Sequence, residues 1–164
     1  GDGETTDALL RDVAQALRGR GYSLAGTVQW NAVTPGAGRC DMELEDLSSG
    51  ERHATAAKGP RLPQTCKLDA AALEDVAGLV AARIKPGLDL VIINRFGKQE
   101  IAGAGFRPII EAAVANDVPV LTTVNRALSA DWEAFAGGTS AILAPSKDAV
   151  TAWCMSILAN RSSP

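Results

Sequence analysis

Apolar residues in the first segment recur at helical spacing. Leu9, Leu10, Val13, Ala14 and Leu17 follow a Thr5-Thr6-Asp7 start signal, and Gly19 and Gly21 mark the stop. Ser23 to Trp30 then reads as a strand, and Asn31 to Arg39 reads as a loop because of Pro35, Gly36 and Gly38. From Cys40 to Leu47 the pattern alternates, with Cys40, Met42 and Leu44 set among Asp41, Glu43 and Glu45. Ser49-Gly50 is a turn signal, and Glu51 to Ala57 returns as the second strand of a hairpin. Lys58 to Lys67 is a loop holding Gly59, Pro60 and Pro63.

The second half is more regular. A helix runs from a cap at Asp69 to about Ile84, and Pro86-Gly87 ends it. Leu88 to Asn94 is an almost unbroken apolar run, the mark of a buried parallel strand. Pro108 lies near the start of the next helix, where its missing N–H costs nothing. Val118 to Val124 is another buried strand, and Ser129 caps a short helix through Phe135, with Trp132 and Phe135 as its anchors. Ser140 to Leu143 reads as a last strand, and Ser146 caps the terminal helix.

Helix and strand alternate with one early hairpin, so the expected fold is a three-layer α/β domain with a mainly parallel sheet and an inserted β-hairpin. The 164 residues make one domain, residues 1–164. Many α/β domains open on a buried strand, whereas this chain goes almost directly into a helix; the reading leaves a place for a first strand ahead of residue 1. A hydrophobic share of 46% fits a globular chain, and no apolar run approaches a membrane span. Sixteen basic against nineteen acidic residues give a net charge of −3, which argues against a general nucleic-acid binder. No signal-peptide pattern opens the chain, so the expected location is cytoplasmic, with neither membrane nor nucleic acid as partner.

In an open parallel sheet, ligands bind beyond the C-terminal ends of the strands. Two segments belong there. Gly1-Asp2-Gly3-Glu4-Thr5-Thr6 opens a helix, whose free N–H groups and dipole favour an anion. Asn94-Arg95-Phe96-Gly97-Lys98-Gln99-Glu100 follows the strongest strand. Gln29, near the end of a neighbouring strand, and Asn31, in the loop after it, add neutral donors. The remaining polar features read as structural. His53 is the only histidine and has no partner for a metal site; Asp41, Glu43, Glu45 and Asp46 form a solvated strand face; Cys40 and Cys66 are small buried residues; and Cys154 belongs to the core.

Together the two segments resemble a known family. Gly3-Glu4-Thr5-Thr6 is similar to the end of a Walker A motif, Gly-Lys-Thr-Thr. Leu90-Val-Ile-Ile-Asn-Arg-Phe-Gly-Lys-Gln-Glu100 resembles the Walker B segment of the cancer-related nucleoside-triphosphatases. The likeness is closer still to a bacterial group known as domain of unknown function 2478. It is carried by Gly26-Thr-Val-Gln29, Cys40-Asp-Met-Glu-Leu-Glu-Asp46, Cys66-Lys-Leu-Asp69 and Asn94-Arg-Phe-Gly-Lys-Gln-Glu100. The resemblance implies a P-loop fold and an anion site. That group is associated with molybdenum metabolism, which brings molybdate into view.

The departures are chemical. Glu4 stands where the motif has its phosphate-binding lysine, Asn94 where it has the Mg²⁺-holding aspartate, and Arg95 where it has the neighbouring acid. The expected site is Gly3, Thr5, Thr6, Gln29, Asn31, Asn94, Arg95, Lys98, Gln99 and Glu100. It would take a nucleotide or a tetrahedral oxyanion (molybdate, tungstate or phosphate) without tightly held Mg²⁺. Two rival readings stand beside it: a true nucleoside-triphosphatase with catalytic residues at other positions, and a partner-binding accessory protein, with a homo-oligomer left open.

Overall fold

The computed structural model describes residues 2–34, 39–54 and 70–162, with side chains for 6–30, 42–54 and 71–159. The first apolar stripe folds as helix α1 (Asp2–Gly19), which starts earlier than the Thr5-Thr6-Asp7 signal suggests. Strand β1 (Leu24–Thr34) follows, then β2 (Arg39–Asp46) and β3 (Arg52–Ala54). Asn31 therefore belongs to a strand and not to a loop, because β1 runs on to pair with β2 from Thr27↔Asp46 to Thr34↔Arg39. The expected hairpin is present as β2 and β3, paired antiparallel over three residues; Ala57 and the cap at Asp69 lie outside the described residues.

Helix α2 (Ala70–Ala82) leads to β4 (Leu90–Phe96). A short α3 (Lys98–Ile101) and α4 (Arg107–Ala115), with Pro108 in its first turn, lead to β5 (Val120–Val124). A 3-10 turn (Arg126–Leu128) runs into α5 (Ser129–Ala136), and α6 (Lys147–Ser162) closes the chain. Asn125 caps the 3-10 turn by accepting from the Ala127 N–H at 2.9 Å. Ser129 does not cap α5 as expected: Leu128 is its cap residue, and the Ser129 hydroxyl donates back to the Arg126 carbonyl at 2.8 Å. Ser146 does cap its helix, accepting from the Ala149 N–H at 3.1 Å.

The sheet order is β3-β2-β1-β4-β5, parallel from β1 through β4 to β5 and antiparallel on the hairpin side. Helices cover both faces, as the near-continuous apolar run in β4 requires. Val91 and Ile93 pack with Leu73, Val80 and Ile109 of α2 and α4. Leu90 and Ile92 pack with Leu10, Val13 and Leu17 of α1 and with Val150 and Cys154 of α6. Phe96 meets Trp132 and Phe135 with ring centroids 5.0 Å apart, which fixes α5 as the sequence indicates. Ser140 to Leu143 does not form the expected strand. Among the described residues β5 pairs only with β4, so this stretch has no ladder partner, and Ile142 is 90% exposed.

One acid of the hairpin is also placed differently. Asp46 is fully buried. It accepts from the Arg83 guanidinium at 2.5 Å and from the Ser48 hydroxyl at 2.7 Å, so it ties the hairpin to α2 rather than facing solvent.

Gly26 lies where β1 and β4 pair, with φ +107°, and a Cβ there would overlap the Ile92 carbonyl. Gly26→Ala is expected to cost about 1–3 kcal/mol or more, the range for overpacking a core. Urea unfolding checks this, and an unchanged midpoint would contradict the packing described. Burial raises the Cys154 thiol to about 11. At pH 8 only about 0.1% of it is then thiolate, the reactive form. Mass-mapped alkylation should leave Cys154 unlabelled until the protein is unfolded.

Candidate functional site

The turn from α1 to β1 is short, so α1 runs back across the sheet and its N-terminus returns to the end where β4 finishes. Contacts confirm this placement. The Asp7 carboxylate of α1 lies 3.9 Å from the Arg95 guanidinium at the end of β4. Arg11, one turn farther on, donates to the Gln29 carbonyl at 2.6 Å. The Arg11 guanidinium also lies 4.5 Å over the Trp30 ring, while Arg52 of β3 lies 4.0 Å over the same ring. The first turn of α1 and the end of β4 thus share one rim, as the parallel-sheet rule anticipates. Gly3, Glu4 and Thr5 lie on that turn and Asn31 lies on β1, but their side chains are outside the described part.

β1 and β4 pair only over Leu24↔Leu90, Ala25↔Val91 and Gly26↔Ile92. Beyond that point β1 follows β2 and β4 follows β5. Three buried polar side chains occupy the parting. The Thr27 hydroxyl donates to Asn94 Oδ1 at 2.9 Å, and Asn94 Nδ2 donates to Gln29 Oε1 at 3.1 Å. The Thr123 hydroxyl of β5 donates to the Asn94 carbonyl at 2.7 Å. Asn94 is therefore held from two strands at once.

This arrangement bears on a magnesium ion, which a P-loop relative would hold through an acid at this position. Asn94 offers only a neutral amide oxygen, and that oxygen already accepts from Thr27. Arg95 beside it brings positive charge. Among the described residues no three His, Cys, Asp or Glu side chains gather as a metal site. The residues at 94 and 95 do not fit a tightly held divalent cation.

The loop after β4 has its own logic. Glu100 is buried, and its Oε1 accepts from the Gly97 N–H at 2.6 Å, the N3-to-cap half of a capping box. Its Oε2 accepts from the Phe106 N–H at 2.9 Å. A Cβ at Gly105, where φ is +61°, would overlap this carboxylate. Glu100, expected to serve a ligand, thus closes residues 97–106 into a fixed loop, with each of its carboxylate oxygens accepting a backbone N–H. Lys98 stands exposed on the first turn of α3; Gln99 is half-buried, and its Oε1 has no hydrogen bond among the described residues. Thr6 is half-buried on α1.

Sequence reasoning passed over Asp7, Thr27 and Thr123. Asp7 had left a signal, since it lies three residues before Leu10 on the apolar stripe of α1, where a carboxylate is out of place. Thr27 and Thr123 lay in strands, where threonine is an ordinary residue and gives no signal.

Glu100→Gln keeps the size of the side chain but sets an amide donor against a backbone N–H. It is expected to lower stability by about 1–3 kcal/mol, the cost of leaving a buried group unsatisfied. Lys98→Ala, on the exposed face, should stay within about 0.5 kcal/mol. Parallel chemical denaturation of the two variants checks the contrast.

Comparison with known proteins places this geometry in a family. The family model described as "Protein of unknown function (DUF2478)" matches residues 1–153. The chain is 36% identical over 147 residues to the molybdenum import ATP-binding protein ModC 2 of Bradyrhizobium diazoefficiens. That match covers 90% of this chain but only 16% of the relative. It is 26% identical over 129 residues to the nucleoside-triphosphatase THEP1 of Methanothermobacter thermautotrophicus, covering 77% of this chain and 72% of the relative. The THEP1 of Methanocaldococcus jannaschii gives the same identity over 74% of its length. No solved structure matches the chain. By its family match and its P-loop NTPase-like fold, the chain belongs to the DUF2478 family.

Proposed function

We propose that this chain is a P-loop-like binding protein for a phosphate-like anion, either the phosphates of a nucleotide or a tetrahedral oxyanion such as molybdate or tungstate. On this reading it has little or no hydrolytic activity. The observation that carries the reading is the use made of Asn94. The side chain at the Walker B position is neutral, buried and hydrogen-bonded to both Thr27 and Gln29, and Arg95 follows it. A rim with an arginine and a helix N-terminus, and without the acid pair, favours binding an anion over activating water for attack on a phosphate.

The relatives support both ligand classes. Two are nucleoside-triphosphatases by name, and one is an ATP-binding protein of molybdenum import of which this chain matches a small part. Thr6, Arg95 and Lys98 supply donors from the two segments of the rim. Among the described residues no helix is long and apolar enough to cross a membrane. A location in the cytoplasm, where nucleotides and imported oxyanions are present, goes with this reading.

Titration calorimetry with ATP, molybdate, tungstate and phosphate, each with and without Mg²⁺, tests the proposal. At least one of these should bind below millimolar concentration without Mg²⁺. Lys98→Ala should weaken that binding by roughly 1–3 kcal/mol, the range for a lost charged hydrogen bond. No binding by any anion would remove the reading. Steady nucleotide hydrolysis near or above about 1 s⁻¹, an ordinary enzyme rate, would remove its non-hydrolytic part.

A further inference from the structure

Asp7 lies on the buried stripe of α1, one turn ahead of Leu10, and its side chain is 1% exposed. An ionised carboxylate in such a place calls for a cation nearby. Arg95 supplies one, with Nη2 3.9 Å from Oδ2. That separation makes an ion pair but not a hydrogen bond. The Arg95 side chain keeps 52% of its surface open to solvent, so the pair is fixed at the carboxylate end and open at the guanidinium end. The other arginine of this rim is differently placed. Arg11 is spent on the Gln29 carbonyl and the Trp30 ring.

We infer that Asp7 is the resident counter-anion of the rim, and that an incoming anion must take Arg95 in competition with it. The inference rests on the reading of this rim as an anion site. Asp7 is buried in the helix–sheet packing and cannot move away, whereas the Arg95 head can turn toward solvent. A bound anion therefore gains the attraction of Arg95, gives up the Asp7–Arg95 pair, and meets the repulsion of a carboxylate close behind the cation. The loss of the pair is the same for every anion. The attraction to Arg95 and the repulsion from Asp7 both grow with the charge of the ligand, so what Asp7 subtracts is larger for a dianion than for a monoanion. Asp7 thus offsets the charge of Arg95 when the rim holds no ligand and limits how tightly the rim holds a highly charged one. The arrangement suits a protein that hands its anion on more than one that stores it. A purely structural carboxylate, holding Arg95 in place for the ligand, would have the opposite effect on binding.

The test compares the intact protein with Asp7→Asn and Arg95→Ala, using perchlorate, sulfate and molybdate in calorimetric titrations at pH 8. Asp7→Asn preserves shape and removes the charge. It should tighten perchlorate binding by roughly threefold and the two dianions by about tenfold or more, the gain rising with ligand charge. Arg95→Ala should weaken all three. In the unaltered protein, the Arg95 side-chain Nε–H resonance should shift as molybdate is added, a measurement that does not depend on any variant folding. If Asp7→Asn binds as the parent does or more weakly while Arg95→Ala loses affinity, Asp7 is not a competitor and the inference falls with the rim reading intact. A silent Arg95 resonance during molybdate binding also overturns it. If none of the three anions binds the parent and neither variant differs from it, the reading of the rim falls as well.

Discussion

Gly26 is the residue at which β1 and β4 come closest and after which they part. Its positive φ and the absence of a side chain let the Ile92 backbone lie against it, and its carbonyl accepts from the Leu47 N–H at 3.0 Å. After this contact the two strands turn to different neighbours, so their facing edges lose the ladder between them. Buried backbone and side-chain polar groups must still be paired. Thr27, Asn94 and Gln29 meet that demand in the parting itself, and Thr123 adds the link to β5. The position of Arg95 at the rim, and with it the character of the site, follows from where Asn94 is held.

The same position bears on the chemistry proposed for the rim. A carboxylate at position 94 or 95 would place negative charge at the open end of the parting, where a metal ion could use it. The residues present put an amide inside the parting and a guanidinium outside it. The carboxylate of this rim comes instead from α1, as Asp7, and sits behind the guanidinium. On the proposed reading, a guanidinium outside the parting with a carboxylate behind it favours an anion at the rim.

Much of this was legible in the sequence where a pattern had one physical cause. The run Leu90 to Ile93 could only be a strand covered on both faces, and the alternation from Cys40 onward gave the hairpin. Ser140 to Leu143 shows the limit of that reasoning, since apolar composition alone does not bring a segment into a ladder: β5 pairs only with β4 among the described residues, and this stretch does not join it. Glu100 shows another. An acid in a loop at a sheet rim reads as a ligand group, and nothing in its spacing says that Gly97 and Phe106 claim both its oxygens. The polar knot was hidden for a related reason: Thr27 and Asn94 are 67 residues apart, and no local pattern encodes a contact of that range.

That difference in range carries over to the order in which the parts can form. Glu100 binds partners three and six residues away, within a span that a chain closes in roughly 10–100 ns. The Asn94 contacts to Thr27 and Gln29 close spans of 67 and 65 residues, and they require β1 and β4 to be already side by side. The loop that carries Lys98 thus sets its own shape early from its own sequence, whereas the placement of Arg95 opposite Asp7 comes only with the assembly of the sheet. Arg95 and Lys98 thus have separate folding histories on one rim: a core substitution that slows the pairing of β1 with β4 delays the Arg95 side and leaves the Lys98 turn to form on its own schedule.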